Sequence, residues 1–197
     1  MPKGYMFEEN VLVIDRTLTE LDLFVKSFLE IIHKHVDYLI VSGFVSISTG
    51  RTRGTEDVDV LIPKMDKEQF IPLFNELLEN NFWCFQGDTV SEVYPYIAEL
   101  ENVRFARKEE LFPNMECIPV TPEKKAQFFE FSHPQHIRIH DFTFKIPPLE
   151  FEILYKELVL KSEKDLLDAL HLRTVFSEIL KQENFKKFKK IIEDGLK

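Results

Sequence analysis

The stretch Ser42–Ile62, SGFVSISTGRTRGTEDVDVLI, determines how the rest of the chain is interpreted. Its end, Asp57–Ile62 (DVDVLI), has the apolar content and alternation of a β-strand. Side chains alternate between the faces of a strand, so Asp57 and Asp59 lie on one face and the valine between them on the other. Adjacent carboxylates repel each other unless a cation lies between them. The pattern fits either a metal site or two solvated acids on an exposed strand.

Two short elements and a loop precede this strand and contain groups that bind anions. Tyr38–Val41 is predicted to be a buried strand that ends at Gly43, and a short helix is predicted over Phe44–Thr49. Gly43 lets a phosphate approach the backbone closely, and the start of a helix offers N–H groups to an anion. Further donors for phosphate oxygens are Ser46, Ser48, Thr52, Thr55, Arg51 and Arg53. An anion site beside the acidic pair favours the metal site.

The same segment resembles the signature of the nucleotidyltransferase superfamily in its minimal form. That signature is a hydrophobic residue, a glycine, a second glycine or a serine, a spacer, and then an aspartate, a hydrophobic residue and an acid. Gly43 matches the glycine, Asp57–Asp59 (DVD) matches the acidic pair, and the twelve residues Val45–Glu56 form the spacer. Gly50–Asp59 (GRTRGTEDVD) is also similar to a frequent form of the family motif. The sequence departs from the signature at Phe44, where glycine or serine is expected.

The resemblance implies both a fold and a chemistry. The implied fold is of the α/β (α+β) class: a nucleotidyltransferase-like mixed β-sheet flanked by helices, with a C-terminal helical segment. Asp57 and Asp59 would hold Mg²⁺, with Mn²⁺ as the alternative, against the phosphates of a nucleoside triphosphate, foremost ATP. The residues implied to contact the nucleotide phosphates in this segment are Gly43, Ser46, Arg51, Arg53 and Thr55.

Enzymes of this family usually carry a third carboxylate on a neighbouring strand, as a general base or a further metal ligand. We favour Glu116, because it lies inside the apolar run Met115–Ile118, where an acid is expected only for a function. An edge-strand residue facing water is the other interpretation of Glu116. Asp141 and Glu130 are the alternatives for the third acid. The expected catalytic and metal-binding set is therefore Asp57, Asp59 and Glu116.

The tail carries a second resemblance. Pro147–Leu172 (PPLEFEILYKELVLKSEKDLLDALHL) is similar to the helices that end nucleotidyltransferase-like toxins of abortive-infection systems. Lys164, Asp165 and Asp168 match the KD-x-x-D element of those helices, and Lys156 matches an earlier lysine. The resemblance implies that Lys156 and Lys164 reach the triphosphate. We give equal weight to a purely structural interpretation of these residues. In it, Asp165 caps a helix, Lys164 is solvated, and Asp168 pairs locally with Arg173 or Lys164.

Helix signals frame these motifs. Thr17 with Glu20 forms a capping-box pattern that predicts a helix ending near His35. Ile137–Ile146 alternates like one strand or like a hairpin around His140 and Asp141. After Pro147 and Pro148 the chain is predicted to be helical: Leu149–Leu160, a second helix from Ser162 and a third from Asn184. We therefore expect an α/β domain over residues 1–146 and a helical segment over 147–197 that packs on it.

Composition limits the class of protein. The chain has 197 residues and a net charge of −9, so general affinity for a nucleic-acid backbone is not expected. No apolar run approaches the ~20 residues of a membrane helix, and Met1–Asn10 lacks the apolar core of a signal peptide. Cys84 and Cys117 lie in apolar segments, which favours buried thiols in a reducing compartment. We expect a cytoplasmic protein without a membrane partner.

Together these inferences favour an enzyme. The family resemblance implies Mg²⁺-dependent transfer of a nucleoside monophosphate from a nucleoside triphosphate to a hydroxyl group. The acceptor would be a protein side chain, a small molecule or RNA such as a tRNA end, and the acidic chain makes a large RNA the least favoured. The alternative is a non-catalytic module of the same fold that binds a protein partner, for example in a toxin–antitoxin or defence system. Phe44 is the residue that favours this alternative.

Overall fold

The structure is a computed structural model that describes residues 4–8 and 11–196. The chain forms two compact units. Unit 1 comprises the described residues of Met1–Thr17, Leu39–Arg53 and Pro122–Lys197. Unit 2 comprises Leu18–Tyr38 and Gly54–Thr121.

The elements follow the order expected for a mixed α/β chain. The strands are β1 Tyr5–Glu8, β2 Val11–Ile14, β3 Leu39–Ile40, β4 Asp57–Pro63, β5 Phe82–Cys84, β6 Val103–Arg107, β7 Asn114–Val120, β8 Gln135–Ile139 and β9 Phe142–Ile146. The helices are α1 Glu20–His35, α2 Gly43–Ser48, α3 Lys67–Glu79, α4 Val90–Ala98, α5 Lys125–Ser132, α6 Leu149–Tyr155, α7 Glu163–Val175 and α8 Gln182–Gly195. A π-helical segment, Lys156–Leu160, continues α6.

Unit 1 is built on a four-stranded sheet in the order β1-β2-β8-β9. The pairing of β2 with β8 is parallel, and the other two pairings are antiparallel. Leu12, Ile137 and Phe144 are buried on this sheet. Helix α6 packs against α7 and α8, and α2 packs against α7. The C-terminal helices and the short helix α2 are therefore parts of one core.

Unit 2 is built on strands β4, β7, β6 and β5, in that spatial order. Strands β4 and β7 are parallel, whereas β6 pairs antiparallel with both β7 and β5. Helix α1 packs against α3, which also contacts β5 and α4. Phe28 of α1 is fully buried, and its ring lies 5.2 Å from that of Phe82 and 5.9 Å from that of Phe105. This aromatic cluster joins α1 to the sheet.

The predicted fold class is confirmed: mixed sheets with helices, followed by the helical segment α6–α8. Of the strand and the hairpin left open over residues 137–146, the structure has the hairpin, with His140 in the left-handed region at a φ of 54°. No helix among residues 4–8 and 11–196 has the length and apolar content needed to cross a membrane. The boundary after residue 146 stays a prediction; β9 ends at Ile146 and α6 begins at Leu149.

Three local predictions differ from the structure. Helix α1 is capped by Thr19 and Asp22 instead of Thr17 and Glu20, because the Asp22 carboxylate accepts from the Thr19 amide at 2.7 Å. The single helix predicted over residues 149–160 changes to π-helix at Lys156, whose carbonyl accepts from the amide five residues on at 2.9 Å. Strand β1 was not predicted, because only Tyr5 in it is buried and it lacks alternation.

Both thiols are buried and free, as the sequence predicts. Burial raises the pKa of Cys84 to about 11, and burial raises the pKa of Cys117 further. The two groups are therefore protonated and unreactive in the folded protein at neutral pH.

We predict that Phe28→Ala lowers the free energy of unfolding by about 3–5 kcal/mol, because it removes a fully buried ring from the cluster with Phe82 and Phe105. Leu23→Ala, on the same helix but with the side chain 46% exposed, should change it by less than about 1 kcal/mol. Urea unfolding followed by circular dichroism measures both values. Equal destabilisation by the two variants would contradict the packing described here.

Candidate functional site

The parallel pairing of β4 with β7 brings three carboxylates together in unit 2. Asp57 and Asp59 lie on one face of β4, while Val58 and Val60 on the other face are fully buried. The register places Asp59 opposite Glu116 of β7. One carboxylate oxygen from each of the three acids lies within 4.8 Å of the others. Three oxygen ligands at this spacing are a geometry in which one Mg²⁺ or Mn²⁺ ion can be shared.

The other two candidates for the third acid lie in unit 1. Asp141 is in the turn between β8 and β9, beside His140. Glu130 is on α5 with its side chain buried, and burial raises its pKa well above the usual value. Neither residue belongs to the carboxylate cluster, which consists of Asp57, Asp59 and Glu116.

Neighbouring polar groups hold the cluster in place. The Thr55 hydroxyl donates to the Asp57 carbonyl at 2.7 Å and lies 3.3 Å from one of its carboxylate oxygens. Oε1 of Glu116 accepts from Nδ2 of Asn102 at 2.9 Å and from Nη2 of Arg104 at 3.0 Å. Thr55, predicted to bind phosphate, thus supports an acid of the cluster. The sequence gives no signal for Asn102, because its position depends on the pairing of β6 with β7.

The predicted phosphate-binding arginines lie in unit 1, where they meet an aspartate of α7. Nη1 of Arg53 lies 2.8 Å from Oδ2 of Asp168, and Arg51 forms an ion pair with Oδ1 of the same carboxylate. Nη1 of Arg51 also donates to the Lys164 carbonyl at 3.1 Å. The Lys164 side chain is exposed. The structure therefore brings Arg51 and Arg53 together, and it connects them to the KD-x-x-D element.

The predicted local pairing of Asp168 with Arg173 or Lys164 is wrong. Arg173 instead forms a bidentate ion pair with Glu157, in which Nε donates to Oε1 at 2.7 Å and Nη2 donates to Oε2 at 2.8 Å. Asp168 lies on the buried side of α7 and is fully buried, whereas Lys164, one turn earlier, is exposed. Two of its cationic partners, Arg51 and Arg53, come from a distant part of the chain, and the third, Lys156, lies twelve residues before it.

Lys156 completes this group of charges. Its side chain is fully buried, and its Nζ lies 3.1 Å from both Asp168 and Glu152 and 3.7 Å from Asp165. Burial raises the pKa of Glu152, and the ammonium of Lys156 opposes that rise. We call Arg51, Arg53, Lys156, Asp168 and Glu152 the buried charge cluster. Lys156, predicted to reach the triphosphate, is paired inside this cluster.

The motif glycine is the first residue of α2, and the Arg53 guanidinium lies against it. A Cβ atom built on Gly43 would come 2.6 Å from Nη2 of Arg53. Ser46, on the same helix, is buried, and its hydroxyl has no hydrogen-bond partner among the described residues. Phe44, which departs from the family signature, is fully buried, with its ring 5.6 Å from that of Phe144. In this chain the second motif position has become a core position.

Sequence comparison matches the chain to no family model and to no curated protein. Comparison with solved structures finds eight chains of similar fold, among them the following two. The lincosamide antibiotic adenylyltransferase LnuA, crystallised with lincomycin bound, aligns with a TM-score of 0.51 at 12% identity, over 81% of this chain and 99% of LnuA. An antigenic nucleotidyltransferase-like protein from Paracoccidioides brasiliensis aligns with a TM-score of 0.47 at 15% identity, over 86% of this chain and 91% of that one. The alignment with LnuA shows that the chain has a nucleotidyltransferase-like fold, as its motif predicts.

Proposed function

We propose that the protein is a metal-dependent nucleotidyltransferase, which moves a nucleoside monophosphate from a nucleoside triphosphate to a hydroxyl group. The observation that carries this proposal is the cluster of Asp57, Asp59 and Glu116 within 4.8 Å, on two parallel strands of a nucleotidyltransferase fold. The adjacent acids repel each other in the metal-free protein, which favours uptake of a cation. Oxygen ligands alone favour Mg²⁺ or Mn²⁺ over softer metals.

The three acids divide the chemistry between them. When bound, a divalent ion neutralises the triphosphate and lowers the pKa of the attacking hydroxyl group. Asp57 and Asp59 would hold that ion from one strand. Glu116 accepts the proton of the acceptor hydroxyl, while its Oε1 is held by Asn102 and Arg104. The acceptor oxygen bonds to the α-phosphorus, the bond from that phosphorus to the bridging oxygen breaks, and pyrophosphate leaves.

The donor contacts are part of the proposal. The residues proposed to contact the nucleotide phosphates are Gly43, Ser46, Arg51, Arg53, Thr55, Lys156 and Lys164. Guanidinium groups match the paired oxygens of a phosphate, and Arg51 and Arg53 keep 16% and 15% of their side-chain surface exposed. ATP is the first donor to test. Small molecules are the first acceptors to screen, because LnuA is named as an adenylyltransferase of a lincosamide antibiotic.

A second function is favoured by two observations. Phe44 occupies the motif position expected to be glycine or serine, and Arg51 and Arg53 are already paired with Asp168. Both features would be tolerated in a non-catalytic binding module of the same fold. Such a module would bind a protein partner and would show no affinity for nucleoside triphosphates.

We predict that Mn²⁺ stabilises the protein and that Asp57→Asn/Asp59→Asn removes this effect. A ligand at about a hundredfold excess over its Kd adds roughly 2.7 kcal/mol to the free energy of unfolding. For a chain of this size that corresponds to a rise in Tm of roughly 5–10 °C, measured by differential scanning calorimetry against EDTA. The control Glu68→Gln/Glu79→Gln makes the same change in charge at two exposed sites of α3. A Tm shift that the aspartate variant retains would contradict the metal site.

We predict Mg²⁺-dependent binding of at least one of ATP, GTP, CTP and UTP, measured by isothermal titration calorimetry. Asp57→Ala/Asp59→Ala should abolish the Mg²⁺-dependent part. Glu116→Gln should keep the nucleotide affinity within a few-fold of the wild-type value. Once an acceptor has been identified, the same change should lower the rate of pyrophosphate release by about 10²–10⁴-fold. Well-folded protein that binds none of the four nucleotides would reject the transferase and support the binding module.

A further inference from the structure

Asp168 is a fully buried charged group that contacts the predicted anion-binding loop. Its carboxylate has no exposed surface, and three cations lie against it: Arg51, Arg53 and Lys156. A buried carboxylate is retained only when paired charges offset its desolvation. The arginines come from the motif loop, 117 and 115 residues before Asp168 in the chain, so Asp168 joins α7 to the loop through both of them.

Exposure within this group is asymmetric. Asp168 and Lys156 are fully buried, whereas the side chains of Arg51 and Arg53 keep 16% and 15% of their surface exposed. A guanidinium has five N–H donors in a fixed plane, so it can contact an inner carboxylate and an outer anion together. Each guanidinium side chain therefore keeps an exposed portion that a phosphate can reach, whereas the carboxylate that both contact has none.

We propose that Asp168 is a positioning residue, which fixes Arg51 and Arg53 in one arrangement for the triphosphate of the donor. The inference rests on the proposed function for the identity of the anion. Two guanidinium groups repel each other, and without a shared counterion they would separate into solvent. Consistent with that repulsion, the pKa of Arg51 is lowered, first by burial and then by Arg53. Positioned donors bind more tightly because less side-chain entropy is lost on binding.

The proposal predicts that Asp168→Asn changes the affinity for a polyanion in the direction opposite to that expected from charge alone. Asp168→Asn removes one negative charge beside two arginines, so long-range attraction alone would strengthen the binding of a polyanion. Loss of position would weaken it, because the two guanidiniums no longer present their donors together. The direction of the change therefore separates a positioning role from a neutralising or autoinhibitory one.

The test uses inorganic tripolyphosphate as the probe, in EDTA, by isothermal titration calorimetry on the full chain. Asp168→Asn should weaken binding by about 10–100-fold, the range of one charge-assisted contact. Glu163→Gln, an exposed residue of the same helix, makes the same change in charge and should bind as wild type does. Unchanged or tighter binding by a folded Asp168→Asn variant would overturn the proposal, as would wild-type protein that does not bind tripolyphosphate.

A double-mutant cycle separates positioning from general damage. Arg53→Lys keeps the charge but loses the planar fork, and should weaken binding by about tenfold in the wild-type background. In the Asp168→Asn background the same change should have almost no further effect, because the fork is already displaced. Additive losses would overturn the proposal. If circular dichroism shows Asp168→Asn unfolded, Arg51→Lys/Arg53→Lys takes its place, and wild-type affinity in that variant overturns the proposal.

The same probe separates this inference from the transferase itself. Binding of tripolyphosphate in EDTA needs no metal, so Asp57→Ala/Asp59→Ala should retain it. Retained binding with no nucleotidyl transfer would reject the proposed function and leave the positioning role of Asp168 supported. Nucleotidyl transfer that Asp168→Asn leaves unchanged in both kcat and KM would reject the positioning role and leave the function supported.

Discussion

The register of β4 on β7 is the constraint on which the candidate metal site depends. The side-chain period of a strand is two, so a slip by one residue would turn Glu116 to the opposite face from Asp57 and Asp59. Buried Val58, Val60 and Met115 hold the register, because the same slip would expose them. The apolar face of the strand pair thus fixes the position of the acids, although it has no part in the chemistry.

The two units use charge in different ways. In unit 2, like charges lie together at partial exposure, an arrangement that disfavours the metal-free state and favours a cation. In unit 1, opposite charges lie together around the fully buried Asp168, an arrangement that fixes side chains without requiring a ligand. A group of like charges therefore indicates a binding site more directly than a group of opposite charges does.

Residues close together in the chain were the ones that could be predicted from sequence. The Asp57–Asp59 pair and the choice of Glu116 follow from alternation and from an acid inside an apolar run, and both patterns are local. The pairing of Asp168 with Arg51 and Arg53 could not be predicted, because it depends on packing between segments more than a hundred residues apart. The start of α1 was misplaced by two residues, because Thr-x-x-acid occurs twice in succession and only tertiary burial of Asp22 selects between the two.

The burial of Phe44 limits which residues this core position can hold. Its ring fills a fully buried site against Phe144, so serine or glycine there would leave a cavity and cost about 3–5 kcal/mol. That is a large share of the 5–15 kcal/mol by which a typical domain is stable. A small residue at position 44 therefore needs a compensating enlargement of a neighbour such as Phe144, so two core positions would have to change together.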